Sequence, residues 1–381
     1  MVMTMRHSLF LLAALPLFAQ RDTVFETRPA LVVENNKVAL VMLRNGGAFT
    51  SLTLKDDEAK TDPLWNPLRM AREKGRPQRF GDSVGHFVCV DGFGPTSNEE
   101  RAAGYEGHGE AHKQPWELIN TGFKAGVRSL TFRARLPIMQ ELFTRRIEIV
   151  DDEQVVYVES TLENLLAFDR PVNWAEHATI GAPFLAPGKT VVDAATGRCQ
   201  SRPYENQPVR RLASGKDFQY PLAVGRDGTS LVDIRNVPDP PSSLDHTGCT
   251  VDPSRRLGFV TAINLEKGMM LGYLWRREEY PWLQEWMNYP ASGELSRGLE
   301  FGTQPFDVSH RQTVDMGSMF GVPVFRWLAA RTKISSRFLM FFSRVPQGFN
   351  HVDDVTLSDG KLTIVDKKAG KTVTLHATLG L

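Results

Sequence analysis

Short runs in which apolar and polar residues alternate dominate the chain, and turn signals punctuate them. ALVVENNKVALVML sets Asn35 and Asn36 between two β-branched runs, and Gly46-Gly47 interrupts before FTSLTL. That combination predicts a hairpin followed by a further strand. RRIEIVDDEQVVYVESTLEN repeats the pattern around Asp151-Asp152, and LGFVTAINLEKGMMLGYLW repeats it around Lys267-Gly268. Near the C-terminus, VTLSDGKLTIVDKKAGKTVTLHAT places Asp359-Gly360 and Ala369-Gly370 between alternating runs. Strands roughly ten residues apart, with no sustained helical period and no fixed repeat, predict an all-β antiparallel sandwich or barrel. Two stretches read as long loops, residues 92–116, rich in Gly and charge, and residues 236–248, which hold Pro238, Pro240 and Pro241. Similar strands flank both, so they divide no domains, and long loops in compact β domains often carry binding sites.

Composition narrows the class. The chain has 381 residues, 41% hydrophobic and 23% charged, enough for one large β domain. Its 45 basic and 44 acidic residues leave a net charge of +1 with no basic tract, which offers no handle for nucleic acid or an anionic membrane surface. Arg6 and His7 precede the apolar run LFLLAALPLFA, which ends at Ala19 before Gln20, Arg21 and Asp22. That run is too short to span a bilayer and has the order of a secretory signal. The expectation is a signal at residues 1–19 and a single mature domain at 20–381, periplasmic or secreted. Leu17 departs from the small residue preferred before a cleavage site, which leaves an uncleaved anchor as the rival. Three cysteines, Cys89, Cys199 and Cys249, make neither a disulfide framework nor a zinc site. One pair of them has the chance to bridge in an oxidising compartment, and the sequence does not say which.

Three segments carry titratable groups in places that invite chemistry. In NWAEHATIGAPFL (residues 173–185), strand alternation puts His177 on one face with Asn173, Ala175 and Thr179. Glu176 falls on the other face with Trp174 and Ile180. Small neighbours leave room over the imidazole, although a core histidine bonded to backbone fits the segment equally. In RGLEFGTQPFD, Glu300 shares its face with Gly298 and Gly302, and an apolar setting would raise its pKa toward that of a useful base. A solvated carboxylate beside a glycine bulge is the plain alternative. In GHGEAHKQPW, His108 and His112 stand four apart, but the glycines and Pro115 oppose the helix that a metal pair would need. His108 therefore reads as a hydrogen-bond donor to a polar ligand. Trp116 offers a flat face on which a sugar would stack, unless it serves the core.

These pieces occur in an ordered set: Gly46-Gly47, then His108-Gly109 and Trp116, then His177 with Gly181, Pro183 and Phe184, then Leu299-Glu300 with Thr303, Gln304 and Asp307. The set resembles the aldose 1-epimerase (galactose mutarotase-like) superfamily, in a divergent bacterial branch, over about Leu31 to Phe342. YEGHGEAH stands where the family has an asparagine-rich stretch, and LEFGTQ carries two residues more than the family's LETQ. The resemblance implies an antiparallel β-supersandwich whose concave face binds a carbohydrate. It implies His177 as acid toward the ring oxygen and Glu300 as base toward the anomeric hydroxyl. His108, Trp116, Asp245 (in the pair Asp245-His246) and Gln304 would contact the sugar, and no metal or nucleotide cofactor would be needed. Two alternatives remain: a carbohydrate-binding protein without catalysis, and a glycan hydrolase or lyase, which would want a second carboxylate such as Asp307 or Glu285. The sugar and the oligomeric state stay open.

Overall fold

A computed structural model describes residues 20–77, 83–204, 209–291 and 295–381. The expected signal at residues 1–19 lies outside the described residues. Among them the architecture is three antiparallel layers of one large domain. A 14-stranded sheet faces an 8-stranded sheet, and a 3-stranded C-terminal sheet packs behind the second.

Side-chain parity explains the layering. In the strands Met269–Arg276 and Lys333–Arg344, Leu271, Tyr273, Trp275, Phe338, Met340 and Phe342 point into the core between the two large sheets. Their neighbours Met270, Leu274, Leu339 and Phe341 point the other way, into a second core with Val355, Leu362 and Ile364 of the C-terminal sheet. Strands buried on both faces must be apolar throughout, which is why LGFVTAINLEKGMMLGYLW lacks a polar face. Every hairpin signal read from the sequence sits between paired antiparallel strands. Of the two long loops, residues 92–116 hold only the short helices Asn98–Ala102 and Ala111–Lys113. The second is shorter than its sequence suggests, because Ser243–Val251 is a strand that pairs with Trp282–Tyr289. Cys199 and Cys249 form a disulfide across neighbouring strands, and Cys89 is a buried thiol.

One buried polar group ties the large sheets together. Glu176, on the inter-sheet face of Trp174–Gly181, meets Arg145 of the opposite sheet at 2.5 Å. It also contacts His86 Nε2 at 2.9 Å and accepts from the Tyr280 hydroxyl at 3.3 Å. A charge this deep persists only when paired and hydrogen-bonded. Glu176 is thus a structural group, turned away from its neighbour His177.

Candidate active site

Strand register builds the site. Trp174–Gly181 pairs His177 with Phe87 on one side. On the other side Glu176 opposes Phe301 and Thr179 opposes Gly298, which sets Glu300 opposite His177. The next strand continues the row, since Gln284 opposes Glu300 and Gly248 opposes Gln284. Side chains directly opposite in an antiparallel pair lie about 5 Å apart at Cβ, so this row forces Phe87, His177 and Glu300 into one cluster. The His177 ring stacks on Phe87, with centroids 4.2 Å apart and planes at 21°. Its Nδ1 lies 3.0 Å from Thr179 Oγ1 and 3.3 Å from Glu300 Oε1. Glu300 Oε1 is buried and has no hydrogen-bond partner. Gly298 makes room for it, because a Cβ there would lie 2.0 Å from Oε1.

The cluster opens into a cavity of about 250 Å³ lined also by Trp65, Ser83, Phe93, His108, His246, Trp286 and Asp307. That is close to the small end of ligand pockets and suits something the size of one sugar ring. His108 comes from the loop at residues 92–116. Its Nδ1 accepts from Gly94 N–H at 3.3 Å, which leaves Nε2 as the donor. On the far side His246 Nδ1 lies 2.7 Å from Asp307 Oδ1, and Arg202 Nε lies 2.6 Å from the same oxygen.

The cavity separates its titratable groups. Burial pushes Glu300 well above the usual carboxylate range, and the nearby charges of Asp307 and Glu285 add to this. Burial would also raise Asp307, but His246 and Arg202 hold its carboxyl below the usual range. Burial lowers His177 well below an ordinary imidazole, with His108 and His112 adding to the effect, and takes His108 down to about 4. Burial therefore disfavours both charges and shifts the pair away from imidazolium and carboxylate, toward neutral imidazole and protonated carboxyl. Both forms of the pair hold the same number of protons and differ by one transfer.

Of the residues singled out from sequence, His177, Glu300, His108 and Asp307 meet in the cavity, while Glu285 pairs with Arg297 outside it. Three others do not reach it. Trp116 is a core residue whose ring packs near Phe132 and Phe143 while Nε1 donates to Ala111 O at 2.9 Å. Asp245 is fully buried and accepts from the backbone N–H groups of Arg211 and Leu212, both at 3.1 Å. Because Ser243–Val251 is a strand, alternation turns Asp245 away and His246 toward the cavity. Gln304 donates to Phe306 O at 3.0 Å and Phe93 O at 3.4 Å, so it braces the loops that bring Phe93 and Asp307 to the site. Trp65, Phe87, Phe93, His246 and Trp286 were not anticipated. The odd-even position of Trp286 in WLQEWMNY, two places from Gln284, carried the only sequence signal for that residue. Among the described residues, no group of three or more His, Cys, Asp or Glu is arranged to hold a metal ion.

No family model matches the chain, and no curated protein matches its sequence. Solved structures do match its shape. A galactose mutarotase-like protein from Clostridium acetobutylicum superposes with a TM-score of 0.59 at 12% identity, covering 86% of this chain and 98% of that one. A galactose mutarotase related enzyme from Lactobacillus acidophilus gives 0.54 at 13% identity, covering 84% and 99%. A candidate aldose 1-epimerase from Klebsiella pneumoniae gives 0.57 at 10% identity, covering 83% and 80%. Identity this low speaks for architecture alone. The chain has the galactose mutarotase-like β-sandwich fold, in a sequence far diverged from its solved neighbours.

Proposed function

We propose that this protein is an aldose 1-epimerase-like enzyme, which interconverts sugar anomers by acid–base ring opening. The observation that carries the proposal is the His177–Glu300 pair, 3.3 Å apart on neighbouring strands at one end of a sugar-sized cavity. In the working form Glu300 has passed its proton to His177. The carboxylate takes the proton of the anomeric hydroxyl while the imidazolium gives one to the ring oxygen, and the bond between C1 and the ring oxygen breaks. The open-chain aldehyde rotates about C1–C2, and closure on the other face returns both protons. Each group supplies roughly 10²–10⁴-fold. His108 donates to a sugar hydroxyl through Nε2. The Asp307–His246–Arg202 group offers a fixed carboxylate to others, and Trp65 and Trp286 present apolar surface. A free aldose monitored by polarimetry or by anomeric NMR exchange tests the proposal. Accelerated equilibration that is lost in both Glu300→Gln and His177→Ala supports it. No acceleration for any aldose, with measurable sugar affinity, would instead mark a carbohydrate-binding protein.

One observation favours a second assignment, glycan hydrolysis. Glu300 and Asp307 line the same cavity with pKa values pushed in opposite directions, as an acid and a charged partner would need. Release of reducing ends from a polysaccharide selects it. Export is proposed as well, and the Cys199–Cys249 bond supports it because disulfides persist in oxidising compartments. N-terminal sequencing of the mature protein should begin near Gln20.

A further inference from the structure

A second cleft, of about 560 Å³, lies on the same sheet face as the candidate active site. Thr250 lines it and His246 lines the first cavity, and both belong to the strand Ser243–Val251 at positions of equal parity. Four residues of strand put their attachment points about 13 Å apart. The wall between the clefts is the segment at residues 303–307. Thr303 faces the second cleft and Asp307 the first, while Pro305 rests on the strand between them, its carbonyl oxygen 2.1 Å from where a Cβ on Gly248 would stand. Only glycine at 248 lets this wall sit directly on the sheet.

The second cleft has a charge pattern that the protein does not itself satisfy. Arg198, Arg277 and Arg326 line it against one acid, Glu278. Arg198 is paired with Asp217 at 3.0 Å and lies over the Phe320 ring at 4.1 Å. Among the described residues the Arg277 guanidinium has neither ion pair nor hydrogen bond, and Arg326 donates only to Ser335 O at 3.5 Å. Two guanidinium groups left without a carboxylate, in a recess rather than on open surface, favour a planar anion held through paired N–H donors. Phe320 and Phe325 supply apolar faces beside them. That mixture, cations around an aromatic recess, matches a sugar ring that bears an acidic group.

We propose that this cleft binds an anionic sugar unit, a uronate carboxylate facing Arg277 and Arg326, as part of the same carbohydrate chain whose end enters the His177–Glu300 cavity. The proposal rests on the reading of that cavity as a carbohydrate site, and it names the ligand as an acidic glycan. Calorimetric titration with an oligogalacturonate, and with its carboxyl-reduced uncharged counterpart, tests it on the full chain at low and moderate salt. The charged oligosaccharide should bind about tenfold more tightly, the step expected of one charge-assisted contact, and the difference should shrink as salt is added. Arg277→Ala combined with Arg326→Ala should remove the preference while leaving anomer exchange of free monosaccharides unchanged. Both arginines are partly exposed and outside the cores, and thermal unfolding of the double variant will verify that it folds. Equal affinity for the two oligosaccharides, or a preference that survives in the double variant, overturns the proposal. So does displacement by inorganic sulfate at concentrations equal to the oligosaccharide, which would make the cleft a site for bare anions. Glu300→Gln separates the two proposals. Lost exchange with retained acidic-glycan binding supports both, and acidic-glycan binding in a protein that never catalyses exchange refutes the epimerase while sparing the cleft.

Discussion

Gly298→Ala should separate catalysis from folding more sharply than removal of either reactive group. An added Cβ would stand 2.0 Å from Glu300 Oε1, and nonbonded atoms do not approach a Cβ within 3.0 Å, so the carboxyl must retreat by at least 1.0 Å. Gly298 has no positive φ that would strain an alanine, and its nearest obstacle is the far end of a side chain rather than backbone. Glu300 Oε1 has no hydrogen bond to lose. Folding stability should therefore change little, and the smaller entropy of the unfolded alanine chain contributes about 0.4–1 kcal/mol in favour of folding. A misplacement of about 1 Å at a reacting group costs on the order of 10²-fold in rate. The assay is polarimetric anomer exchange beside a urea melt, on wild type and variant. A Gly298→Ala protein with an intact melt and roughly a hundredth of the activity is the expected outcome. Undiminished exchange would show that the carboxyl position is not what the chemistry uses, and the acid–base assignment would fail with it.

Further predictions follow from burial and charge. Glu300 stays protonated in the folded state above the pH at which the unfolded carboxyl ionises, so its burial costs nothing below about pH 4.5 and progressively more above it. Glu300→Gln should thus gain stability relative to wild type as pH rises above about 4.5 in thermal melts, and a difference that does not change with pH there would refute the shift. His108 works in the opposite sense, because its unfolded imidazole takes up a proton near pH 6.5 while the folded one waits until about 4. The His108 contribution to stability should accordingly fall as pH drops through that window, seen in thermal melts as a gain of His108→Asn over wild type that grows from pH 6.5 to pH 4. Trp116→Ala should cost about 3–5 kcal/mol as a core deletion. A large loss of sugar affinity without that loss of stability would return Trp116 to the ligand. Reduction of Cys199–Cys249, which closes a loop with a sequence separation of 50, should lower stability by about 2–4 kcal/mol in urea melts with and without reductant.

Local patterning determined the elements, and only pairing determined the site. The turns at Asn35-Asn36, Asp151-Asp152, Lys267-Gly268, Asp359-Gly360 and Ala369-Gly370 announced their hairpins, because turn chemistry and alternation act over a few residues. The facing of His177 and Glu176 to opposite sides followed from the same period of two. Their consequences did not: that Glu176 would meet Arg145 and that Glu300 would lie opposite His177 depend on which strands become neighbours and in what register. The Asp245–His246 pair shows how narrow that margin is. Residues 236–248 look like a proline-rich loop, yet the strand begins at Ser243, and one residue of alternation exchanges the group that faces the cavity. Trp116 is equally instructive, since an aromatic ring has the same apolar area whether it meets a sugar or a core, and the layer it joins is decided elsewhere. Asp307 and Arg202 come from distant segments and meet only because the sheet closes the distance between them. Sequence alone thus specified a β-sheet protein with reactive groups at known positions along the strands. The tertiary structure decided which of those groups share a cavity, because contact between distant residues is set by strand order and register, and no short stretch of chain encodes either.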